Sequence, residues 1–316
     1  TGRVVNVILL FPGQGSQKPG MGKDLAAAFP VARETFQKID DKLGFPLSTL
    51  CFEGPADELT LTSNAQPALY AHGAAAWAVA RDILANRIVA AAGHSLGEVT
   101  AHHAAGSLSL DAGAGLVRRR GEAMLEIGSE RPGTMAAILG KLSVSIDTIC
   151  EEASREAGLV VPANYNTDEQ VVVSGEIAGV ERAMELARAA GAKRALRLSV
   201  SGAFHSPLME PVEIAFSGAI RDTAFADPDF PVYSNVTAQP CTSAAEARTV
   251  LLRQLTAPVR WSDEVRAMAA AYPGALYVEL GPGNVLSGLV SRIVAGARTI
   301  AVGAPADVDR LAEALG

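Results

Sequence analysis

Apolar residues fall in short unbroken runs separated by longer periodic stretches. Val4 to Phe11, broken only by Asn6, and Ile88 to Ala92 are two such runs. Their length and composition predict buried strands. Pro231 to Val236, Ala275 to Leu280 and Thr299 to Val302 predict further strands. Helical stretches lie between them: Asp24 to Leu43, Pro67 to Leu84, Glu98 to Ala105, Leu110 to Ile127, Asn284 to Val294 and Asp307 to Leu315. Leu59 to Asn64 reads as a loop, which puts Pro67 in the first turn of its helix. A proline is tolerated there because that N–H has no intrahelical partner. The helix is apolar on nearly all sides, which predicts burial. Strands alternating with helices indicate a parallel sheet with helices on its faces.

The pattern changes after Gly133. Thr134 to Leu139, Leu159 to Asn166, Gln170 to Ser174 and Ala192 to Leu198 predict strands. Ser145 to Ala157 and Ile177 to Ala190 predict helices. The order is βαββαβ, the ferredoxin-like arrangement. The expected class is α/β, with a large domain over 1–132 and 200–316 and a ferredoxin-like small domain over 133–199 inserted into it.

One stretch between a strand and a helix carries chemistry. Gly93-His94-Ser95-Leu96-Gly97 fits G-x-S-x-G, the nucleophile elbow. A serine in so sharp a turn needs small neighbours, and the following helix N-terminus aims amides at its oxygen. The plainer reading is a glycine-rich turn holding an ordinary serine. The first strand also ends in a glycine-rich loop, Pro12-Gly13-Gln14-Gly15-Ser16-Gln17, which is neither a P-loop nor a dinucleotide fingerprint. An elbow enzyme needs a second oxyanion donor from another strand end, and Gln14 is placed for that role.

A nucleophilic serine needs a base. Of His72, His94, His102, His103 and His205, the second is inside the elbow, where consecutive side chains diverge. His102 and His103 fall about two helical turns beyond Ser95, roughly 10 Å away. His72 lies on the preceding helix and reads as packed or surface. His205, in Gly202-Ala203-Phe204-His205-Ser206, has the downstream loop position that elbow enzymes use. No acidic third member stands out, so backbone carbonyls are the alternative orienters.

Three consecutive arginines follow the elbow helix. Arg118 and Arg119 read as a solvated face. Arg120 shares its helix face with Leu116, Val117, Ala123 and Met124. A guanidinium on an apolar stripe needs an anion, whether the protein's own carboxylate or one on a substrate.

Composition narrows the function classes. The 316 residues are 49% hydrophobic with a net charge of −7, which weighs against nucleic acid as the main partner. Cys51, Cys150 and Cys241 show no metal or redox spacing and suit a reducing compartment. We read no signal peptide and no membrane-spanning run, so a cytoplasmic protein without membrane contact is expected.

Taken in order, Gly13-Gln14-Gly15-Ser16-Gln17, Gly93-His94-Ser95-Leu96-Gly97, Arg120-Gly121, Gly202-Ala203-Phe204-His205-Ser206 and Gly281-Pro282-Gly283 resemble the malonyl-CoA:acyl carrier protein transacylases and the related acyltransferase domains of polyketide synthases. The resemblance spans essentially the whole chain. It implies an α/β-hydrolase-like large domain with the ferredoxin-like domain inserted. By resemblance, Ser95 is the acylated nucleophile, His205 its general base and acid, and the Gln14 and Leu96 amides the oxyanion hole. Arg120 pairs with the malonate carboxylate, and Asn164 and Asn166 match asparagines near the site. Pro258-Val259-Arg260-Trp261 resembles the stretch that turns a backbone carbonyl toward the histidine, here that of Arg260. Phe204 before the histidine marks malonyl users, because a phenyl ring leaves no room for an α-methyl branch. Gly202 stands where many modular polyketide domains have histidine, so the free-standing type is the nearer likeness.

The resemblance implies a ping-pong transacylase, here a monomer, that moves malonyl from malonyl-CoA to the phosphopantetheine thiol of an acyl carrier protein, for fatty-acid or polyketide synthesis. It implies no cofactor and no metal, the CoA thioester being a substrate. An acidic carrier would meet a basic patch, for which Arg118, Arg119, Lys193 and Arg194 are candidates against the plainer reading of solvated surface. A serine acyl hydrolase or esterase with the same elbow is the rival, but it leaves Arg120 unexplained and no HGGG-type segment is present. A docking module that binds the carrier without turnover would not need Ser95, His205 and Arg120 together.

Overall fold

A computed structural model describes residues 4–316. Thr1, Gly2 and Arg3, where the large-domain expectation begins, lie outside the described residues.

Two sheets organise the described residues. The larger has six strands: β1 (Val7–Phe11), β2 (Ile88–Gly93), β7 (Val232–Tyr233), β8 (Pro240–Cys241), β9 (Leu276–Leu280) and β10 (Arg298–Val302). Their order is β10-β9-β1-β2-β7-β8, parallel except for β8. β1 and β9 are buried at every position, as continuous apolar runs covered on both faces must be. The smaller sheet holds β3 (Thr134–Leu139), β4 (Val160–Thr167), β5 (Gln170–Gly175) and β6 (Arg194–Arg197). It is antiparallel in the order β4-β5-β3-β6, the ferredoxin-like topology.

Helices α1 (Lys23–Ala28), α2 (Pro30–Leu43), α3 (Leu47–Glu53), α4 (Ala56–Thr60), α5 (Thr62–Leu84), α6 (Leu96–Ala104) and α7 (Leu110–Glu130) precede the small sheet. α8 (Ile146–Glu156) and α9 (Ile177–Ala189) belong to it, packing against each other and its strands to close a separate core. α10 (Glu210–Asp222), α11 (Ala244–Arg253), α12 (Trp261–Ala271), α13 (Val285–Ile293) and α14 (Pro305–Leu315) follow. No helix among the described residues is long and apolar enough to cross a membrane.

Several elements differ from the sequence reading. The helix expected over Asp24 to Leu43 is two, because Phe29 is extended before Pro30, the conformation that residues preceding proline favour. The loop expected over Leu59 to Asn64 is the end of α4 and the start of α5. Pro67 is therefore inside α5, not in its first turn. Its missing N–H frees the carbonyl of Ser63, four residues back. Arg118 donates to that carbonyl across 2.7 Å and to Asn64 Oδ1 across 2.9 Å, while its guanidinium stacks over the Phe45 ring. Arg118 is thus a repair of the proline break and not a solvated arginine. α3, α10, α11 and α12 were not foreseen, and the strand expected over Pro231 to Val236 shrinks to two residues.

The two sheets meet beside the carboxyl ends of the parallel strands. Val259 N donates to Ala163 O and Tyr165 N donates to Val259 O, at 2.8 and 2.9 Å. These bonds tie β4 to the segment entering α12 and set one wall of a cleft.

Candidate active site

The turn from β2 into α6 holds Ser95 at φ 52° and ψ −111°, a left-handed conformation that a serine adopts only under constraint. The constraint is close packing. A Cβ on Gly97 would sit 2.0 Å from Phe11 O, and one on Gly93 1.9 Å from the Gly97 carbonyl. Only glycine permits the helix to start this close to two strand ends.

His205 also has positive φ, 54°, in the loop that follows β6. Its Nε2 lies 2.8 Å from Ser95 Oγ. Its Nδ1 lies 2.9 Å from Gln254 O. A carbonyl only accepts, so Nδ1 carries the proton and Nε2 is free to accept from the serine hydroxyl. Burial, and next the Arg120 charge, push this imidazole down to about 3, so it is neutral at physiological pH. Arg260 does not perform the orientation expected of it. Its carbonyl accepts from Glu264 N at the start of α12, and its side chain pairs with Asp263. The carbonyl that meets the imidazole is that of Gln254, not that of Arg260.

Arg120 is buried on α7. Nη1 donates to Gln66 Oε1 at 2.8 Å, and Nη2 donates to Gln254 Oε1 at 2.8 Å and to Ser95 Oγ at 3.1 Å. No carboxylate oxygen bonds to it among the described residues. Burial lowers it to about 10, and Glu98 opposes that shift, so it stays cationic. A buried cation whose partners are neutral amides has room for an anion.

The Gln14 and Leu96 amides donate to no group among the described residues, and both residues line the pocket around Ser95. The Ser95 amide, by contrast, is taken by Asn235 Oδ1 at 2.8 Å. Asn166 Oδ1 lies 2.7 Å from His94 Nε2, and Asn164 lines the pocket beside it. The cavity has a volume of about 570 Å³, with Met124, Met135, Val172, Leu198 and Phe204 on its apolar side. That suits an acyl chain on a thioester better than a bulky polymer.

Sequence reasoning missed three residues here. Gln66 holds Arg120 from α5. Gln254 contributes its carbonyl to His205, its Oε1 to Arg120 and its Nε2 to Ser95 O and Asn235 Oδ1. Asn235 follows β7 at the carboxyl end of a parallel strand, a position that favours ligand sites and could have drawn attention. Nothing in the local sequence distinguishes Gln254.

Residues 8–304 match the acyl transferase domain family. The chain belongs to that family. This acyl transferase is 43% identical over 305 residues to the malonyl CoA-acyl carrier protein transacylase of Bacillus subtilis (strain 168), covering 96% of this chain and 95% of that one. It superposes with a TM-score of 0.94 on the malonyl CoA-acyl carrier protein transacylase of Coxiella burnetii, 33% identical, over 100% of this chain and 99% of that one. A malonyl-transacylase solved in complex with a type II PKS acyl-carrier protein gives a TM-score of 0.92 at 40% identity, over 98% and 99% of the two chains. The two-sheet α/β fold of this acyl transferase is the fold of those neighbours.

Proposed function

We propose that this acyl transferase carries malonyl from malonyl-CoA to the phosphopantetheine thiol of an acyl carrier protein through a malonyl-Ser95 ester. The observation that carries the reading is the Arg120 guanidinium, 3.1 Å from Ser95 Oγ and bonded otherwise, among the described residues, only to neutral glutamines. A malonyl carboxylate two bonds from the thioester carbonyl is the anion that fits there.

Ser95 Oγ attacks the thioester carbonyl while His205 Nε2 takes its proton. The Gln14 and Leu96 amides receive the oxyanion. The tetrahedral intermediate collapses, the C–S bond breaks, and CoA leaves with the proton from His205. The carrier's thiol then attacks the ester, again losing its proton to His205, and Ser95 Oγ recovers one as it leaves. The carbonyl of Gln254 serves in place of the carboxylate of a hydrolase triad. It orients the imidazole but adds no negative charge, which supports exchange between thioesters of similar energy. The relatives' names support both donor and acceptor.

Mass spectrometry after mixing with malonyl-CoA tests the reading. A persistent adduct on Ser95, discharged by a phosphopantetheinylated carrier, is expected. Rapid release of free malonate without carrier would identify a hydrolase, and no adduct at all a docking module.

A further inference from the structure

Beneath the nucleophile lie two buried acids that the transfer mechanism does not use. Glu98 on α6 and Glu264 on α12 are both fully buried. Asn235 stands between them. Its N–H donates to Glu98 Oε1 at 2.6 Å, and its Nδ2 donates to Glu264 Oε2 at 2.8 Å. The remaining oxygens, Glu98 Oε2 and Glu264 Oε1, have no hydrogen-bond partner among the described residues. The same Asn235 gives Oδ1 to the Ser95 amide and to Gln254 Nε2, and Nδ2 also to Gly93 O.

We propose that Glu98 and Glu264 hold a proton between them and act as a positioning pair that locks the orientation of Asn235, and through it the backbone of Ser95. The O–H of Glu264 donates to the free oxygen of Glu98, which removes both orphans at once. The charges around the pair support one anion and not two. Arg120 on α7 faces Glu98, and the solvent-exposed Arg260 faces Glu264 but is paired to Asp263. Asp263 and the Cys241 thiol complete the titratable surroundings, with neutral His102 one turn along α6. Two carboxylates in one dry site cannot both ionise. Burial moves Glu98 up to about 7 and Glu264 well above the usual carboxylate range. Glu98, nearer Arg120, keeps the charge. A carboxyl acceptor below Asn235 also decides which way its amide faces: nitrogen toward the acids, oxygen toward Ser95. A flipped amide would set a donor against the Ser95 N–H.

Infrared spectroscopy of the whole protein tests the pair. At neutral pH the wild type should show the carbonyl stretch of a protonated buried acid, and the Glu264→Gln difference spectrum should contain its loss. Glu279 is buried with a raised pKa as well, but it is unchanged between the two proteins and cancels. Kinetics supply the second arm, which rests on the transfer reading. Glu264→Ala should slow Ser95 malonylation by up to about 10²-fold through misplacement of the serine, with little change in KM. Glu264→Gln, which mimics the protonated acid, should recover most of that loss. Absence of an acid band from the wild-type minus Glu264→Gln difference spectrum, or a Glu264→Gln variant as slow as Glu264→Ala, would overturn the proposal. If Glu264→Ala does not fold, the titration of the wild-type minus Glu264→Gln acid band decides: its persistence at neutral pH supports the pair, and its disappearance at the ordinary carboxylate pKa refutes it. The infrared arm stands even if the substrate is not malonyl-CoA.

Discussion

The Arg120 guanidinium donates to the Ser95 hydroxyl across 3.1 Å, so the buried cation of the site sits on the nucleophile itself. Arg120→Ala should therefore cut kcat/KM for malonyl-CoA by about 10²–10³-fold, the cost of leaving a carboxylate unpaired in a partly dry site. Acetyl-CoA lacks that carboxylate, and its transfer should be unchanged or improved. The melting temperature should fall, because Gln66 and Gln254 lose their buried donor. Steady-state kinetics with both thioesters check this, and equal losses for the two would show a purely structural arginine.

His205 should be neutral across the physiological range. Burial and the Arg120 charge push it down to about 3, so its ring signals in NMR should show no midpoint near 6.5. In Arg120→Ala the midpoint should rise, since a repelling charge is gone. His205→Ala should slow acylation by about 10²–10⁴-fold.

The buried histidines also set a direction for acid stability. His72 and His102 are pushed down to about 4, and His205 to about 3, chiefly by burial. In the unfolded chain they protonate near the ordinary value of about 6.5. Their depressed pKa makes stability complete above that value and lost progressively as the pH falls below it. Glu98, raised to about 7, acts in the opposite sense between the ordinary carboxylate value and neutrality. The histidine loss runs from about 6.5 down to about 4 for His72 and His102 and to about 3 for His205, so the melting temperature should drop with acid across that window, offset in part by Glu98. His102→Leu should flatten that acid limb; an unchanged limb would show that the imidazole is not the cause.

Gln254→Ala separates main chain from side chain. The Gln254 carbonyl still orients His205, while Arg120, Ser95 O and Asn235 lose the amide. KM for malonyl-CoA should rise more than for acetyl-CoA, with the His205 ring signals little moved. A large shift of those signals would show that the side chain, too, holds the histidine.

Phe204→Ser should raise the methylmalonyl-to-malonyl ratio of kcat/KM. Phe204 is buried against the acyl cavity, and one methyl is worth roughly 1–3 kcal/mol in a fitted pocket. The change is therefore tens of fold at most. A ratio that stays put in competition assays would place Phe204 away from the α-carbon.

Ser95, His205 and Arg120 were legible in the chain because each sits in a local pattern with a physical reason. Ser95 lies between glycines at a strand-to-helix turn, His205 in a glycine-containing loop, and Arg120 as a charge on an apolar helix face. The ferredoxin-like order was legible for the same reason, since periodicity is a local property. Gln254 and Asn235 were not. Their work depends on hydrogen bonds spanning 159 positions to Ser95 O and 140 to Ser95 N, and an amide side chain carries no mark of what it will face. The assignment of the histidine's orienter failed similarly: resemblance pointed to Arg260, while the turn after α11 brings the Gln254 carbonyl to the ring and the Arg260 carbonyl accepts from Glu264 N at the start of α12. Local pattern decides where a strand, helix or sharp turn forms. Which amide meets which charge is decided when the elements pack, because a polar group sealed from water must find its partner wherever the fold has placed one.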